Sequence, residues 1–552
     1  FMVDNDIMAE EQISSRKGAR TVDHIFVLKS LIDVYTKKKK QKLYVCFLDL
    51  SKAFDNVWRN GLLYKLLETG AGTKFFNIVK SMHADVKCCV DTNQGLTPMF
   101  HSMQGVRQGD VLSPLLFNLF INDIPKILNK ADGVQLSDKN INCLMYADDI
   151  ALVSSSMHGL QQSLDKVRKF FGEWELTVNV DKSAAMVFGS KGNSPQDTLY
   201  YGNVPIRPRT EFCYLGIKFT SNGLFHQAQQ RLYDKARKAC FKLKQIILKS
   251  SVKIKDALFL FHTLVTPICT YASEAWLPVS IDSKTVDKLF KHSEEKLPME
   301  KLYLNFCKFI LGVNKRATNL AVRGELGTYP LILKDLKKIF KYNAGLLKLG
   351  TSDLRYQARE MCKSFEQSNV KSWTDFFKNV ENICKVNMSE ALAMYGVIES
   401  QYRTYFADKL HDSRSGKLAL YSRLKHGHGI ENYCNSIVNP EHRKALTRIR
   451  TSAHPLKVET GRYSRPAIER NLRLCNFCDL HEVEDEEHFL LRCKLYSDLR
   501  NQMFSDISVE CKNFTTLSDY NKVFYLLNAE GPCIKSVAKF CYNSFDLRLT
   551  RV

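Results

Sequence analysis

The stretch Asn142-Cys-Leu-Met-Tyr-Ala-Asp-Asp-Ile-Ala-Leu-Val-Ser154 places two aspartates, Asp148 and Asp149, inside an otherwise apolar run. Residues prone to β structure flank both acids, which predicts strands over 143–146 and 150–153 with the acids at the tip of a tight hairpin. An ordinary solvated turn is the alternative explanation for an aspartate pair. Buried unpaired carboxylates are very unfavourable, whereas carboxylates that gather divalent cations are neutralised. The apolar flanks therefore favour cation binding over a solvated turn.

A third acid follows a second apolar run upstream. The residues Leu43-Tyr-Val-Cys-Phe-Leu48 predict a strand, and Asp49 comes directly after it. Acids on two neighbouring strands are able to clamp two divalent ions ~3.5–4 Å apart, which activate an attacking 3′-hydroxyl and hold the triphosphate leaving group. In that arrangement Asp49 and Asp148 bridge the ions, and Asp149 is the supporting carboxylate. Such chemistry rests on positioning and electrostatics, so it requires no nucleophilic side chain.

Five motifs that occur together in one polymerase family lie in that family's order along the chain. They are Phe47-Leu-Asp49-Leu-Ser-Lys-Ala-Phe54-Asp55 (motif A), Gly105-Val-Arg-Gln108-Gly109-Asp-Val-Leu-Ser113-Pro114-Leu-Leu-Phe-Asn118 (motif B), Tyr146-Ala-Asp148-Asp149 (motif C), Leu176-Thr-Val-Asn179-Val-Asp-Lys182 (motif D) and Tyr214-Leu-Gly216-Ile217 (motif E). The chain therefore resembles the reverse transcriptases of non-LTR (LINE-like) retrotransposons of the jockey type, truncated at the N-terminus.

The resemblance implies an α+β fold, namely a right-hand polymerase with partial fingers, a palm and a helical thumb, followed by a helical region and a C-terminal CCHC zinc module. The domains it implies are partial fingers and palm over 1–225, the thumb over 226–330, a helical connector over 331–465, the CCHC zinc-binding module over 466–500 and a helical tail over 501–552.

A basic amphipathic helix is predicted directly after the implied palm. Its apolar residues recur at helical spacing and are Ala228, Leu232, Ala236, Leu243 and Ile246. The other face carries the basic residues Arg231, Lys235, Lys238 and Lys242. A thumb helix that lies along a primer–template duplex fits this pattern. A salt-exposed helix on a protein core has the same pattern and remains the alternative.

The resemblance also implies roles in substrate binding. Phe54 lies where the family places an aromatic ring beneath the incoming sugar, which predicts deoxynucleotide use; the alternative is a core phenylalanine. Gly105 and Gly109 permit a loop that approaches the nascent base pair closely. Gln108 is implied to contact the templating pair or the incoming nucleotide, and Lys182 to protonate the pyrophosphate leaving group. A solvated lysine is the alternative for Lys182.

Two further local structures are predicted near these residues. Ser113 and Pro114 are typical of a helix start, with serine as N-cap and proline at the first helical position. Tyr214, Leu215 and Gly216 predict a strand with a close backbone approach, and the resemblance makes them the primer grip.

A Cys/His pattern near the C-terminus predicts a zinc site. Cys475, Cys478, His488 and Cys493 have the spacing C-x2-C-x9-H-x4-C, and three thiolates with one imidazole form a closed tetrahedral set, so the zinc would be structural. His481 is a competing ligand; His488 is preferred because the four residues before Cys493 repeat the family spacing. Unrelated buried cysteines are the alternative.

Arginines cluster in sequence around this pattern. Arg462, Arg465, Arg470, Arg473 and Arg492 are candidates to bind nucleic-acid phosphates, with Tyr463 and Phe477 as stacking faces. A solvated basic surface is the alternative.

Composition agrees with a polyanionic partner, since 80 Lys+Arg against 58 Asp+Glu give a formal charge of +22. We expect an RNA template, a DNA primer or target and dNTPs as partners, with Mg2+ (or Mn2+) and Zn2+ as cofactors. No apolar run approaches the ~20 residues of a membrane span, and we expect the protein in nucleus and cytoplasm. The sequence leaves its oligomeric state open.

The resemblance is incomplete near the start of the chain. Ser14-Ser15 stand where the family has a Gly-Phe pair before arginine, the first residue is Phe1, and the earlier fingers strands are not recognised. The leading hypothesis is an RNA-directed DNA polymerase for target-primed reverse transcription. The alternative is a catalytically inactive nucleic-acid-binding remnant of such an element, and a telomerase-like or group II intron-like polymerase fits the C-terminal motif less well.

Overall fold

The computed structural model describes residues 7–128, 132–189, 198–250, 252–281, 283–364, 371–387, 389–412 and 416–551. Its contacts divide the chain into two compact units. The first unit contains Phe1–Arg231, Ala272–Ile281 and Lys338–Ala391, and the second contains Leu232–Tyr271, Asp282–Lys337 and Leu392–Val552.

Helices dominate the described residues. In chain order they are α1 (Thr21–Asp33), α2 (Arg59–Glu68), α3 (Thr73–His83), α4 (Ser113–Phe120), α5 (Ile124–Ile127), α6 (Met157–Glu173), α7 (His226–Lys249), α8 (Ile254–Leu264), α9 (Thr266–Cys269), α10 (Ser273–Ser280), α11 (Val286–Lys296), α12 (Pro298–Leu311), α13 (Asn319–Leu326), α14 (Leu331–Leu346), α15 (Leu354–Lys363), α16 (Trp373–Cys384), α17 (Ala391–Asp412), α18 (Ala419–Leu424), α19 (Tyr433–Ser436), α20 (Pro440–Arg450), α21 (Lys457–Thr460), α22 (Ser497–Glu510), α23 (Asp519–Asn528) and α24 (Gly531–Leu549). Single π-helical turns cover Val34–Lys38 and His488–Arg492.

Every strand in the described ranges lies in the first unit. They are β1 (Leu43–Leu48), β2 (Lys87–Cys88), β3 (Asp91–Thr92), β4 (Gly95–Leu96), β5 (Phe100–His101), β6 (Val134–Leu136), β7 (Lys139–Ile141), β8 (Cys143–Tyr146), β9 (Asp149–Ser154), β10 (Ala184–Phe188), β11 (Leu199–Tyr201), β12 (Val204–Ile206), β13 (Glu211–Tyr214) and β14 (Ile217–Thr220). The chain thus has the predicted α+β composition.

A four-stranded antiparallel sheet forms the centre of the first unit, with the strand order β10-β1-β9-β8. β1 is a continuous apolar run because it lies inside the sheet and five of its six residues are buried. α6 packs on this sheet through Leu160, Leu164, Val167 and Phe171, and the Ser156 hydroxyl caps the helix by accepting a hydrogen bond from Gly159 N.

The compact units cut across the predicted domains 226–330 and 331–465. Residues 272–281 and 338–391 belong to the first unit, where both pack around α1. The ring of Trp373 lies 4.7 Å from that of Phe26, and its indole N–H donates to Glu274 O at 2.8 Å. These contacts join residues at least 99 positions apart, so no local sequence pattern indicates them.

The second unit is helical and has a buried ion-pair network at its centre. The Arg450 guanidinium donates to both carboxylate oxygens of Glu325, at 3.0 and 3.1 Å, and to Glu431 at 2.7 Å. The Tyr433 hydroxyl donates to the same Glu325 carboxylate. Since Glu325 and Arg450 are almost fully buried, each requires the other, and removal of one partner leaves an uncompensated charge.

Helix α7 follows the predicted amphipathic pattern with one exception. Ala228, Leu232, Ala236 and Leu243 are buried, but Ile246 is 54% exposed, so that prediction was wrong. The buried face of α7 includes Leu243 and continues at the half-buried Ile247, four residues later. Ile246 is rotated about 100° around the helix axis from Ile247 and so points away from this face.

Among the described residues, no helix has the length and apolar character that a membrane crossing needs.

Candidate active site and metal centre

The predicted hairpin of Asp148 and Asp149 is confirmed. β8 and β9 pair antiparallel, and Tyr146 faces Asp149 across the turn. Ala147 and Asp148 form the two-residue turn, in which Ala147 has the left-handed φ of +52°. Asp149 is the first residue of β9 rather than part of the turn.

Asp49 reaches the same edge of the sheet. Leu48, the last residue of β1, pairs with Ile150 of β9, so Asp49 follows β1 where β9 begins with Asp149. The Asp49 backbone is fixed from the other side, because its N–H donates to Ser183 Oγ at 3.2 Å and its carbonyl accepts from Asn179 N at 2.7 Å. The sheet register thereby brings the three predicted acids together.

A buried glutamine that the sequence analysis missed holds the turn between these acids. Gln12 is fully buried, and its side-chain oxygen accepts from Ala147 N at 3.1 Å while its side-chain nitrogen donates to Ala147 O at 3.5 Å. Next to it, Ile13 N donates to Met145 O at 3.2 Å. The side-chain amide of Gln12 thus makes hydrogen bonds with both the N–H and the carbonyl group of Ala147 in the turn. The only sequence signal was its place just before the atypical Ser14-Ser15 pair.

The clustering of the acids changes their proton affinity. Burial, followed by the charges of Asp148 and Asp49, raises the pKa of Asp149 to about 6. Burial and the charge of Asp49 also raise the pKa of Asp148, against an opposing hydrogen bond from its own backbone. These shifts mean that the site disfavours its negative charges in the absence of cations. Divalent cations would relieve both the repulsion and the desolvation.

Asp149→Asn is expected to stabilise the metal-free protein at neutral pH. The folded-state pKa of Asp149 is raised from 3.8 to about 6, so the folded protein binds more protons than the unfolded chain between these values, and its stability falls as pH rises through this window. Asparagine carries no ionisable proton, so the variant does not lose this stability as the pH rises. Thermal unfolding in a chelator should therefore show a gain in Tm above about pH 6 that shrinks as the pH is lowered through this window. Asp165→Asn, on the exposed face of α6, is the control, and an equal Tm difference at every pH would contradict the assignment.

The motif B loop begins and ends at glycines that the backbone requires. Gly105 has a φ of +86°, and a Cβ there would lie 2.6 Å from the carbonyl oxygen of Asp55. Gly109 has a φ of +88° and open space around it. The loop is therefore packed against motif A at Gly105 and free on one side at Gly109.

The helix after this loop starts one residue earlier than predicted. Leu112 is the N-cap of α4, so Ser113 is the first helical residue and Pro114 the second, and the Ser113 side chain makes no cap hydrogen bond. Ser113 is instead buried. The apolar residues Leu116, Phe117 and Phe120 of α4 belong to the core of the first unit, as does Ile124 of the next helix, α5.

Phe54 and Gln108 both contact neighbouring motifs. The half-buried Phe54 ring stacks on Phe117 of α4, with centroids 4.9 Å apart and planes 19° apart. Gln108 is exposed, and its side-chain nitrogen donates to Asp55 Oδ1 at 3.4 Å. Phe54 is therefore held at a fixed angle, with part of its ring still accessible.

Lys182 lies at the edge of the acid cluster. Its Nζ is 3.9 Å from Asp49 Oδ2, and 70% of its side chain is exposed. An exposed pair of this kind adds little stability. The lysine can consequently move between Asp49 and a bound anion at low energetic cost.

The predicted strand over Tyr214–Gly216 is wrong in part. Tyr214 ends β13, but Leu215 and Gly216 form the two-residue turn to β14, with φ values of +45° and +80°. Tyr214 and Leu215 are buried and Gly216 is exposed. Within the described part of the chain, the Tyr214 hydroxyl has no hydrogen-bond partner, and burial followed by the charge of Asp149 raises its pKa.

Comparison with known proteins identifies the domain that contains these motifs. Residues 2–219 match the family model "Reverse transcriptase (RNA-dependent DNA polymerase)", a range that contains motifs A to E. The chain is 29% identical over 243 residues to a Pol polyprotein from the type-2 retrotransposable element R2DM of Drosophila melanogaster, and 26% identical over 246 residues to the RNA-directed DNA polymerase from the mobile element jockey of Drosophila funebris. Residues 2–219 form a reverse transcriptase domain of the non-LTR retrotransposon type.

The reverse transcriptase domain accounts for less than half of the chain. The two alignments cover 42% and 43% of this chain but only 22% and 26% of the respective relatives. Among solved structures, the match to a telomerase of Candida tropicalis in complex with a telomeric RNA fragment covers 65% of this chain and 54% of the telomerase, with 13% identity and a TM-score of 0.32.

Outside the reverse transcriptase domain, the structure brings the four predicted zinc ligands together. One ligand atom from each of Cys475, Cys478, His488 and Cys493 lies within 4.8 Å of the others. Cys475 Sγ is 3.8 Å from Cys493 Sγ, and Cys478 Sγ is 3.5 Å from His488 Nε2. In tetrahedral zinc sites with Zn–S bonds of about 2.3 Å and Zn–N bonds of about 2.0–2.1 Å, ligand atoms are separated by about 3.8 Å (S to S) and about 3.5 Å (S to N). The donor set therefore fits zinc.

The surroundings of this group also fit a metal centre. His488 Nδ1 is 2.9 Å from Glu482 Oε2, which fixes the tautomer and leaves Nε2 for a metal, and Glu482 is in turn held by Arg492 at 2.8 Å. Phe477 N donates to Cys475 Sγ at 3.4 Å. His481, the competing ligand considered above, is not part of the group.

Four of the five arginines around the Cys/His group have hydrogen-bond or ion-pair partners within the protein, and phosphate binding by this cluster stays a prediction. The buried Arg473 donates to the carbonyls of Val458 and Ile468. Ion pairs join Arg462 to Glu459, Arg470 to Asp485, and Arg492 to Glu482, Glu487 and Asp519. Phe477 lies beneath Arg548, with the guanidinium carbon 4.4 Å from the ring centroid.

Tyr463 is the exposed aromatic side chain in this region with cations around it. It is 41% exposed, Arg316 lies 4.4 Å from its ring centroid, and its hydroxyl accepts from Lys417 Nζ at 3.0 Å. Of the two stacking faces predicted from sequence, Tyr463 is the more exposed, although Arg316 lies as close to its ring as Arg548 does to Phe477.

Proposed function

We propose that this chain is an RNA-directed DNA polymerase that extends a DNA primer by two-metal nucleotidyl transfer, using Mg2+ (or Mn2+) held by Asp49, Asp148 and Asp149. The observation that carries the proposal is the convergence of these three carboxylates at the ends of adjacent strands within a reverse transcriptase domain. When bound, the two ions activate the 3′-hydroxyl and neutralise the triphosphate charge. The raised pKa values of Asp148 and Asp149 support the proposal, because they show an electrostatic need for cations.

The remaining predicted residues would bind and orient the nucleotide. Lys182 can leave Asp49 to hold a proton at its Nζ next to the leaving pyrophosphate. Gln108 and Gly109 lie on the exposed part of the motif B loop, where the backbone of Gly109 leaves room for a base pair. Gly216 is the exposed residue of the proposed primer grip, and Tyr214 and Leu215 support it from the core.

Phe54→Val is expected to increase ribonucleotide incorporation relative to deoxynucleotide incorporation by about tenfold, because loss of the ring removes the clash with a 2′-hydroxyl. Phe54 is held against Phe117, so the ring of the native enzyme does not move aside. Single-nucleotide kcat/KM values for dNTP and rNTP measure the ratio. Phe54→Tyr, which keeps the ring, is the matched control. If the ratio stays the same in both variants, Phe54 is a core residue only.

We propose an RNA template and a DNA primer or target as the nucleic-acid partners, and target-primed reverse transcription as the reaction in its cellular setting, the nucleus and cytoplasm. The formal charge of +22 favours binding of polyanions. Arg231, Lys235, Lys238 and Lys242 are exposed along α7, as a thumb helix on a duplex requires. Tyr463, with Arg316 and Lys417, supplies a cationic stacking surface for an unpaired base.

We also propose one structural Zn2+ held by Cys475, Cys478, His488 and Cys493. The closed set of four protein ligands leaves no position for a substrate, so the ion would stabilise the fold rather than take part in chemistry. The unit it would stabilise extends beyond the predicted 466–500, because Arg548 of α24 forms an ion pair with Glu484.

The polymerase proposal is tested by deoxynucleotide incorporation on a primed homopolymer RNA with Mg2+ or Mn2+. Primer extension that a chelator abolishes is the expected result. RNA binding without extension under any metal condition would instead indicate an inactive nucleic-acid-binding remnant.

A further inference from the structure

Arg59, the first residue of α2, donates hydrogen bonds to the start of the motif B loop and to the segments beside it. Its Nε donates to Gly105 O at 2.9 Å. Its Nη1 donates to His83 O at 3.3 Å and to Ser102 O at 2.6 Å. Its Nη2 donates to Ser102 Oγ at 3.3 Å and to Gln104 O at 2.9 Å. All three guanidinium nitrogens are therefore used, and four of the five acceptors are backbone carbonyls.

These acceptors belong to different parts of the chain. His83 ends α3, whose last carbonyls have no partner within the helix and carry a partial negative charge that a guanidinium stabilises. Ser102 follows β5, and Gln104 and Gly105 open the motif B loop. Arg107, within the loop, adds a hydrogen bond to Met82 O at 3.1 Å. The end of α3, the segment after β5 and the loop are thus joined at one side chain.

The other side of the loop start is fixed by motif A. Gly105 N donates to Val57 O at 2.9 Å, and Val106 N donates to Phe54 O at 2.8 Å. Phe54 of motif A and Val57 just after it thus bind the N–H groups of the loop start, whereas Arg59 binds its carbonyl groups. Without Arg59, the peptide that follows Gly105 would keep its N–H bond to Phe54 O but lose the partner of its carbonyl group, and the left-handed glycine before it would resist reorientation little.

Arg59 is itself anchored in the core. Leu62 and Leu66 of α2 are buried, and the buried Lys65 pairs with Asp123 at 2.8 Å. The first turn of α2 is therefore a rigid base for the guanidinium, and a planar five-donor group matches several carbonyls better than an ammonium does.

We propose that Arg59 is a positioning residue for the incoming nucleotide, acting through the motif B loop that carries Gln108 and Gly109. Arg59 does not touch the nucleotide; it keeps the loop in the conformation that the nucleotide binds. The inference rests on the proposed polymerase function and deepens it, because it assigns nucleotide affinity to a residue outside the five motif cores.

Arg59→Ala is expected to raise the KM for dNTP about tenfold, which corresponds to the loss of charge-assisted hydrogen bonds to the loop. The kcat at saturating dNTP and the Kd for primer–template should stay within about twofold, since the acids and the duplex-binding surface are unchanged. Arg59→Lys should give an intermediate KM. Arg168→Ala, on the exposed face of α6, is the matched control and should leave all three values unchanged.

A second measurement separates this proposal from the polymerase proposal. In Arg59→Ala, hydrogen exchange at the Gly105 and Val106 amides should become faster while exchange in β1 and β9 does not change, and direct binding of a dNTP–Mg2+ probe should weaken by the same factor as KM. Both readouts are independent of turnover. An unchanged KM and probe affinity in Arg59→Ala, or equal weakening of dNTP and primer–template binding, would overturn the positioning role.

Discussion

Replacing both Asp148 and Asp149 with asparagine is expected to reduce deoxynucleotide incorporation by about a thousandfold or more, because the electrostatic stabilisation of the transferring phosphoryl group depends on ions that these carboxylates hold. Both residues lie at the end of the β8–β9 hairpin that Asp49 also reaches, so the double variant leaves one of the three clustered carboxylates. Primer extension on RNA, measured under single-turnover conditions, gives the loss in rate.

The Asp148/Asp149 double variant should still bind primer–template with unchanged Kd, since asparagine removes charge from the site and not from the basic surface. It should also be no less stable than the wild type without metal, because the native carboxylates repel each other. Asp165→Asn provides the control for loss of one surface charge. Extension that persists in the double variant at the wild-type rate would refute the two-metal assignment.

Replacing His488 with asparagine is expected to remove zinc from the protein and to unfold the region around the Cys/His group. Structural zinc sites contribute roughly 10–16 kcal/mol of apparent binding free energy at neutral pH, which exceeds the stability of most domains. Metal content by elemental analysis should fall from one zinc per chain to none. Hydrogen exchange should increase over residues 470–500 and in α24, whose Phe545 stacks on Phe489 next to His488.

His481→Asn is the matched control for His488→Asn. It removes the same imidazole seven residues away, at a position with a left-handed φ of +50° that asparagine tolerates. Zinc content and exchange rates should match the wild type. If both histidine variants keep their zinc, or if His481→Asn alone loses it, the proposed ligand set is wrong.

The local parts of the active site were predictable because their signals are local. An apolar run interrupted by two acids predicted the β8–β9 hairpin, and both strands lie within one residue of the predicted bounds. The Cys/His spacing likewise predicted a group that the structure brings together. In both cases neighbouring residues carry the information, through alternation of polarity or through fixed spacing.

Contacts between distant segments were not predictable in this way. Gln12 holds a turn 135 positions away, and no property of an isolated glutamine indicates that partner. The arginines near the Cys/His group were candidates either for phosphate binding or for a solvated basic surface, and the sequence did not show that Arg470, Arg473 and Arg492 have acid or carbonyl partners 15 to 27 positions away. The exposure of Ile246 has the same origin, because a helical period of 3.6 residues leaves neighbouring positions ambiguous until a partner surface selects one.

The sequence by itself identified the candidate metal-binding groups of this protein, because the motifs place three acids at or next to strand ends and three cysteines with one histidine at a metal-binding spacing. Only the tertiary structure decided how these groups are held. The antiparallel register aligns Asp49 with Asp149, Gln12 supports the turn between the acids, and residues 272–281 and 338–391 complete the first unit. The physical reason is that a strand or a metal motif is specified by residues close in sequence, whereas hydrogen-bond partners and packing surfaces are specified by chain segments that meet only on folding.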